Sequence, residues 1–271
     1  MTGPRMVATD LDGTVVRRDQ TMSARTVAAV RACLDAGIDV VFVTGRPPRW
    51  MGPVVEATGH AGTAVLANGA VVYDLATERA LEAKEIPADV VLEAAQRLTA
   101  VMPGVAFAVE TLAGFRSTPG YRPRWDALAH RVVGDLPDLL ADDPRVVKLL
   151  ARWEGSTSDA MLAVGREVLA GLVEATHSNA ADALLEVSAP GVSKAATLAE
   201  LAARRGVCAA DVVAFGDMPN DLAMLQWAGT GYAMADGHPD VLAAADAVAP
   251  PCEEDGVAQV LEHLLTPPPP R

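Results

Sequence analysis

The chain has 271 residues, enough for one large domain or two modest ones, with 51% apolar and 21% charged residues and a formal net charge of −13. That balance belongs to a folded globular protein, not a disordered one. The acidic excess excludes nucleic acid as a main partner, because that binding runs on Lys and Arg neutralising phosphates, but it leaves room for a small phosphorylated ligand that needs only local positive charge. Met1 to Met6 lacks the form of a signal peptide, since a strand-like segment follows at once, and no apolar run approaches the ~18 residues of a membrane span. Cys33, Cys208 and Cys252 are odd in number and far apart, which suggests buried free thiols and neither a disulfide framework nor a zinc site. A cytoplasmic protein is expected.

In chain order, Met6 to Thr9 reads as a buried strand running into the turn Asp10-Leu11-Asp12-Gly13-Thr14. Ser23 can cap a helix that carries Val27, Val30 and Leu34 on one face and stops at Gly37. Ile38 to Val43 is a second buried strand, ending at Thr44-Gly45-Arg46; Ala64 to Leu66 and Val71 to Tyr73 flank Asn68-Gly69. Continuous apolar strands alternating with a helix imply a parallel sheet covered on both faces. The middle of the chain changes character: a helix at Pro87 to Val101, strands at Val105 to Val109, Val146 to Ala151 and Ala183 to Val187, and a helix at Asp159 to Leu169. Gly114 to Arg131 reads as irregular and is rich in Arg, Pro and aromatics. Doubly wound order then resumes with a helix from Ser193 to Arg205, a strand Val212 to Phe215 ending at Gly216-Asp217, a helix capped by Asn220 and running through Trp227, a strand Tyr232 to Met234 and a last helix from Val257 to Leu265. The tail Pro267 to Pro270 is too proline-rich to fold.

Three polar clusters, Asp10/Asp12, Thr44 and Asp217, follow directly on apolar strands, and Lys194 opens a helix. Ligands of open parallel sheets bind outside the carboxyl ends of the strands, so these residues can meet on one rim. Four carboxylates there, those of Asp10, Asp12, Asp217 and Asp221, would have to raise their pKa values or recruit a cation. Hard oxygen ligands suit Mg²⁺, and Mg²⁺ with Lys194 would turn an acidic pocket into one that accepts phosphate.

These motifs carry a resemblance. Asp10-Leu11-Asp12-Gly13-Thr14, Thr44-Gly45-Arg46, Lys194 and Gly216-Asp217-Met218-Pro219-Asn220-Asp221 resemble, in order, the four motifs of the haloacid dehalogenase superfamily. Asn68-Gly69-Ala70, Gly191-Val192-Ser193-Lys194 and Asp255-Gly256-Val257 look like its Cof-type phosphatases. The resemblance implies a magnesium-dependent phosphatase of small metabolites, acting on sugar phosphates or similar esters through a phospho-aspartate. It makes Asp10 the nucleophile and Asp12 the general acid and base. Thr44, Asn220 and the main-chain amides of Leu11 and Gly45 would hold phosphate oxygens, and Lys194 would neutralise developing charge. Mg²⁺ would bind Asp10, Asp217 and the main-chain carbonyl of Asp12. Asp221 would orient Lys194 or metal-bound water, and Asn68 would support the site from behind or serve only as a turn residue. Ala195 stands where the family has Gly after the Lys, and Ala235-Asp236 where it has Gly-Asn.

The fold implied is α/β: a three-layer, Rossmann-like parallel-sheet core at residues 1–83 and 189–271, with an α/β cap inserted at 84–188. Arg116, Tyr121, Arg122, Arg124 and Trp125 make 114–131 the segment expected to meet the substrate, although solvated arginines and a core Trp125 are the plainer reading. A phosphomutase of the same superfamily, or a non-catalytic metabolite-binding protein, are the rival functions.

Overall fold

The computed structural model describes residues 3–123 and 131–266, so Arg124, Trp125 and the proline tail lie outside the described residues. The chain divides into two compact units, Met1–Glu82 with Lys194–Arg271, and Ala83–Ser193.

The first unit is built on β1 (Met6–Thr9), whose side chains are all buried. It pairs in parallel with β2 (Asp39–Val43) on one side and β12 (Val212–Gly216) on the other, with Met6 level with both Asp39 and Val212. Beyond β2 come β3 (Thr63–Leu66), parallel, and β4 (Val71–Asp74), antiparallel, followed by β5 (Arg79–Ala83) at the edge. Beyond β12 come β13 (Thr230–Met234) and β14 (Ala247–Ala249), both parallel. The chain leaves β1 toward β2 and later returns to β1's other side as β12. This makes the gap between β1 and β12 the topological switch point, where such sheets bind ligands.

Helices cover this sheet on two faces. On one, α1 (Ala24–Asp35) packs on β2, on α2 (Gly52–Thr58) and on α9 (Gly256–Leu265). Ser23 caps α1 by accepting from the Thr26 N–H. On the other face, Met6, Ala8, Val41, Val43 and Val65 pack against Leu198 and Leu201 of α6 (Lys194–Arg204), Met224 and Leu225 of α7 (Leu222–Trp227) and Val241 of α8 (Pro239–Ala244). Each of the Val, Leu and Met side chains among them contributes about 1.5–3 kcal/mol when fully buried. Strands buried on both faces are why the sequence shows them as unbroken apolar runs.

The second unit carries a six-stranded sheet in the order β10 (Glu174–Thr176), β11 (Leu184–Ser188), β9 (Val146–Arg152), β6 (Ala106–Thr111), β7 (Gly114–Ser117), β8 (Val132–Val133). Its helices are α3 (Ala88–Val101), α4 (Leu136–Leu140) and α5 (Ser158–Val168). The expected irregular stretch therefore opens with a regular strand, β7, hydrogen-bonded to β6 with Ser117 level with Ala108.

The cysteines are free; Cys33 and Cys252 are buried, but Cys208 is exposed, against expectation. Among the described residues no helix is long and apolar enough to cross a membrane.

Candidate active site

The end of β1 is held by the Asp10 N–H donating to the Phe215 carbonyl of β12 at 3.0 Å. The chain then turns on one carbonyl, that of Leu11, which accepts from the amides of Thr14, Val15 and Val16 at 2.7–3.1 Å. Gly13 sits in this turn with φ +79°, and a Cβ there would lie deep inside contact with Asp217 Oδ2. Both the backbone and the close carboxylate therefore require glycine.

Lys194, at the first turn of α6, is fully buried, and its ammonium donates to Asp10 Oδ1 and Asp221 Oδ1, both at 2.7 Å. Burial works against its charge, but Asp10 and Asp221 outweigh burial and raise its pKa. Asp221 also binds the loop after β12: its Oδ2 accepts from the amides of Asp217 and Met218 at 3.1 Å. Gly216 leaves room for this, since a Cβ there would stand 2.5 Å from Asp221 Cβ. Asp217 Oδ1 in turn accepts from Thr14 Oγ1 at 3.2 Å. Asp10, Asp217 and Asp221 each offer an oxygen within 4.8 Å of the others.

These acids are strained toward neutrality. Burial, with Asp221 and Asp12 adding repulsion, pushes Asp10 up to about 7 despite Lys194. Burial and the charges of Asp10 and Asp221 raise Asp217 well above the usual carboxylate range. Carboxylates outnumber the ammonium three to one in this buried group. A divalent cation with hard oxygen preference fits that excess, and its charge would restore both acids to their ionised forms.

Asp12 is placed differently. Its side chain is half exposed and grips the Arg46 guanidinium, apart from the three-acid group. Thr44 directly follows β2, is buried, and accepts from the Arg46 amide at 3.1 Å. The loop after β3 hooks onto this one, with the Asn68 amide donating to the Thr44 carbonyl and the Ala67 amide to that of Arg46, each at 3.0 Å. Ala67 and Asn68 both hold positive φ, a conformation costing about 1–3 kcal/mol per residue. Asn68 Oδ1 accepts from Asn220 Nδ2 at 3.1 Å, and Asn220 Oδ1 is buried with no partner among the described residues.

One expectation needs correction. Asn220 does not cap α7; it lies in a 3-10 turn, Pro219–Asp221, and the helix that follows has no side-chain cap bond. Its Nδ2 donates to Asn68, and Asp221 takes the amides of Asp217 and Met218 just before the turn.

Arg46 was visible only as part of Thr44-Gly45-Arg46, and sequence gave it no role. Thr14, beside Asp217, was likewise unassigned. The loop after β13, where Ala235-Asp236 departs from the family pattern, reaches the site through the His238 amide, which donates to the Asp217 carbonyl at 2.7 Å. In the second unit, Arg116 is tied to Asp142 and to the Leu139 carbonyl, Tyr121 is buried, and Arg122 is exposed beside Glu154 at 3.3 Å.

A family model described as haloacid dehalogenase-like hydrolase matches residues 7–261. Among curated proteins, the chain is 29% identical to the 5-amino-6-(5-phospho-D-ribitylamino)uracil phosphatase YitU of Bacillus subtilis, over 98% of this chain and 99% of that one. It is 28% identical to an HMP-PP phosphatase of Yersinia pseudotuberculosis, over 97% and 96%. Among solved structures, a haloacid dehalogenase-like hydrolase from B. subtilis superposes with a TM-score of 0.83 at 24% identity, covering 96% of this chain and 100% of that one.

Proposed function

The chain belongs to the haloacid dehalogenase-like hydrolase family, and on that premise we propose a Mg²⁺-dependent phosphatase that hydrolyses phosphate monoesters of small metabolites through a phospho-aspartate on Asp10. The observation that carries this reading is the buried Lys194 ammonium bridging Asp10 and Asp221, with Asp217 beside them at the switch point of the sheet.

Each step falls to a residue of this chain. Asp10 attacks phosphorus, forming an O–P bond as the ester P–O bond breaks. Asp12 gives a proton to the departing alkoxide, then takes one from the water that attacks phosphorus and frees Asp10. Lys194 offsets charge on the transferring group, while Thr44, Asn220 and the amides of Leu11 and Gly45 hold its oxygens. Asp221 fixes Lys194, and Asn68 fixes Asn220. Mg²⁺, held by Asp10, Asp217 and the main-chain carbonyl of Asp12, would supply Lewis-acid stabilisation of the phosphoryl oxygens.

Selection of the organic portion of the substrate is assigned to the inserted cap, residues 84–188, with 114–131 as the segment expected to meet it; Ala83–Ser193 form a compact unit of their own. The named substrates of the two curated relatives point to phosphorylated metabolites of comparable size. A cytoplasmic setting belongs to the same proposal and is supported by three free thiols. The test is a panel of phosphorylated metabolites assayed for released phosphate with Mg²⁺ and with excess chelator. Hydrolysis that needs Mg²⁺ is expected; full activity in chelator after dialysis would remove the metal, and an isomeric sugar phosphate as product would indicate a mutase.

A further inference from the structure

Beyond the turn that Leu11 organises, and wholly within the first unit, the chain doubles back on itself at Arg17 to Thr21. The Arg17 amide donates to the Thr21 carbonyl at 2.8 Å, and the Gln20 amide to the Arg17 carbonyl at 2.9 Å. Asp19 braces the bend, its Oδ1 accepting from the Thr21 amide at 2.9 Å and from the Thr21 hydroxyl at 2.6 Å. Gln20 closes the bend with φ +68°. The left-handed region crowds a Cβ, so glycine or asparagine ordinarily fills such a position.

The hairpin is anchored from the far end of the sequence. Arg17 Nη2 donates to Asp255 Oδ1 at 2.7 Å, and the Arg18 amide to Glu253 Oε1 at 3.1 Å. Asp255 belongs to the Asp255-Gly256-Val257 motif, to which the hydrolysis chemistry gave no part. Gly256 lets the motif sit there, since a Cβ would stand 1.8 Å from the Pro250 carbonyl oxygen.

Gln20 is exposed at the tip, where a side chain is ordinarily solvated, yet its Oε1 accepts from Arg46 Nη2 at 2.8 Å. A guanidinium only donates, so the amide must present its oxygen. Arg46 is 9% exposed and gives Nε and Nη2 to the two oxygens of Asp12. Nη2 carries two hydrogens; Asp12 takes one and Gln20 the other. Three oxygens on two nitrogens fix the plane of the guanidinium. That plane in turn sets the Asp12 carboxyl, which is half exposed and has no packing to hold its rotamer.

We propose that Gln20 is a positioning residue for the hydrolysis: from the anchored hairpin it holds the Arg46 guanidinium in the plane that aims the Asp12 carboxyl at the departing oxygen. The inference rests on the phosphatase reading, in which Asp12 protonates that oxygen, and goes beyond it by giving the hairpin a part. A side-chain amide exchanges no proton with the substrate here, so Gln20 acts only through Arg46.

The test measures kcat/KM of the full chain for the best alkyl ester of the metabolite panel and for p-nitrophenyl phosphate. Gln20→Met is similar in length but lacks the amide oxygen. It should cut kcat/KM for the alkyl ester by about 3- to 10-fold, the size of one lost hydrogen bond. For p-nitrophenyl phosphate the loss should stay under about 2-fold, because a nitrophenolate leaves without a proton. Gln20→Gly suits the backbone at φ +68° but has no acceptor, and it should lose as much as Gln20→Met. In an Asp12→Ala background, Gln20→Met should cost nothing further, since a residue that acts through Asp12 is silent without it. Wild-type values for Gln20→Met or Gln20→Gly, equal losses on the two esters, or a full further loss beside Asp12→Ala would each overturn the assignment. Those results would leave the phosphatase reading standing. A wild type that releases phosphate from neither ester overturns that reading instead.

Discussion

Arg46 holds Asp12 by both carboxylate oxygens, with Nε 2.7 Å from Oδ2 and Nη2 2.5 Å from Oδ1. The same Nη2 donates to Gln20 Oε1 at 2.8 Å. The guanidinium is 9% exposed and the carboxylate 48%, so a rigid buried fork carries a half-solvated acid. Two-point contact fixes orientation as well as charge. Arg46 is thereby a positioning residue for Asp12.

Arg46→Ala should therefore act through proton transfer. Esters with alkyl leaving groups, which need a proton, should lose about 10- to 100-fold in kcat/KM, and nitrophenyl esters much less; Arg46→Lys, which keeps the charge but not the fork, should recover part of the loss. A leaving-group series on both variants measures this. Equal losses across the series would give Arg46 a purely structural part.

Asp12→Ala removes the acid and base itself and should cost about 10²–10⁴-fold on alkyl esters. In the phosphorylation step, read by rapid quench, the nitrophenyl ester should suffer less. A uniform loss in that step would deny Asp12 the acid role.

The strands that build the site were legible because burial on both faces writes them as apolar runs, and the polar residues that end them stand out at Asp10, Thr44 and Asp217. What those residues touch was not. Lys194 and Asp10 are 184 positions apart, and Arg46 and Asp12 are 34 apart, so each pair exists only once the sheet is assembled. Several elements escaped, among them the two- and three-residue strands β8, β10 and β14 and the five-residue helix α4. The edge strand β5 is mostly exposed and has no apolar run. Helices α2 and α8 are short and carry Pro near their starts, which reads as a break. Strand β7 has only four residues and hides in a segment of turn-like composition. Asn220 was misread because a residue of that type before a helix ordinarily caps it, whereas here Asp221 takes the amides of Asp217 and Met218 just before the turn.

Metal binding should depend on pH with a definite sign. Burial raises the Asp10 pKa from 3.8 to about 7 and moves Asp217 the same way. A raised folded pKa means the metal-free protein favours the protonated acid. That stability is fully present below about pH 4 and is lost as pH rises toward 7. Mg²⁺ binds the ionised form, so the Mg²⁺-induced rise in Tm should grow between pH 5.5 and pH 8, and binding near pH 6 should release protons. Thermal melts with and without Mg²⁺ across that range check it. A Tm shift that is flat or falls with pH contradicts the assignment of these acids to the metal.

Gly13→Ala should damage the site more than the fold. Its φ of +79° costs an alanine about 1–2 kcal/mol, and the added methyl must push Asp217 aside. The Mg²⁺ concentration for half activity should rise about 10- to 100-fold. Titration of activity with Mg²⁺ measures it, and an unchanged midpoint would mean that Asp217 does not hold the metal.

The nucleophile is the central claim, and Asp10→Asn tests it most directly. The amide keeps the shape of the side chain but cannot attack phosphorus. With Mg²⁺ saturating and thermal unfolding showing a folded protein, phosphate release from the best panel substrate should fall by at least about 10⁴-fold. Release within 10-fold of the wild type would contradict a phospho-aspartate at Asp10.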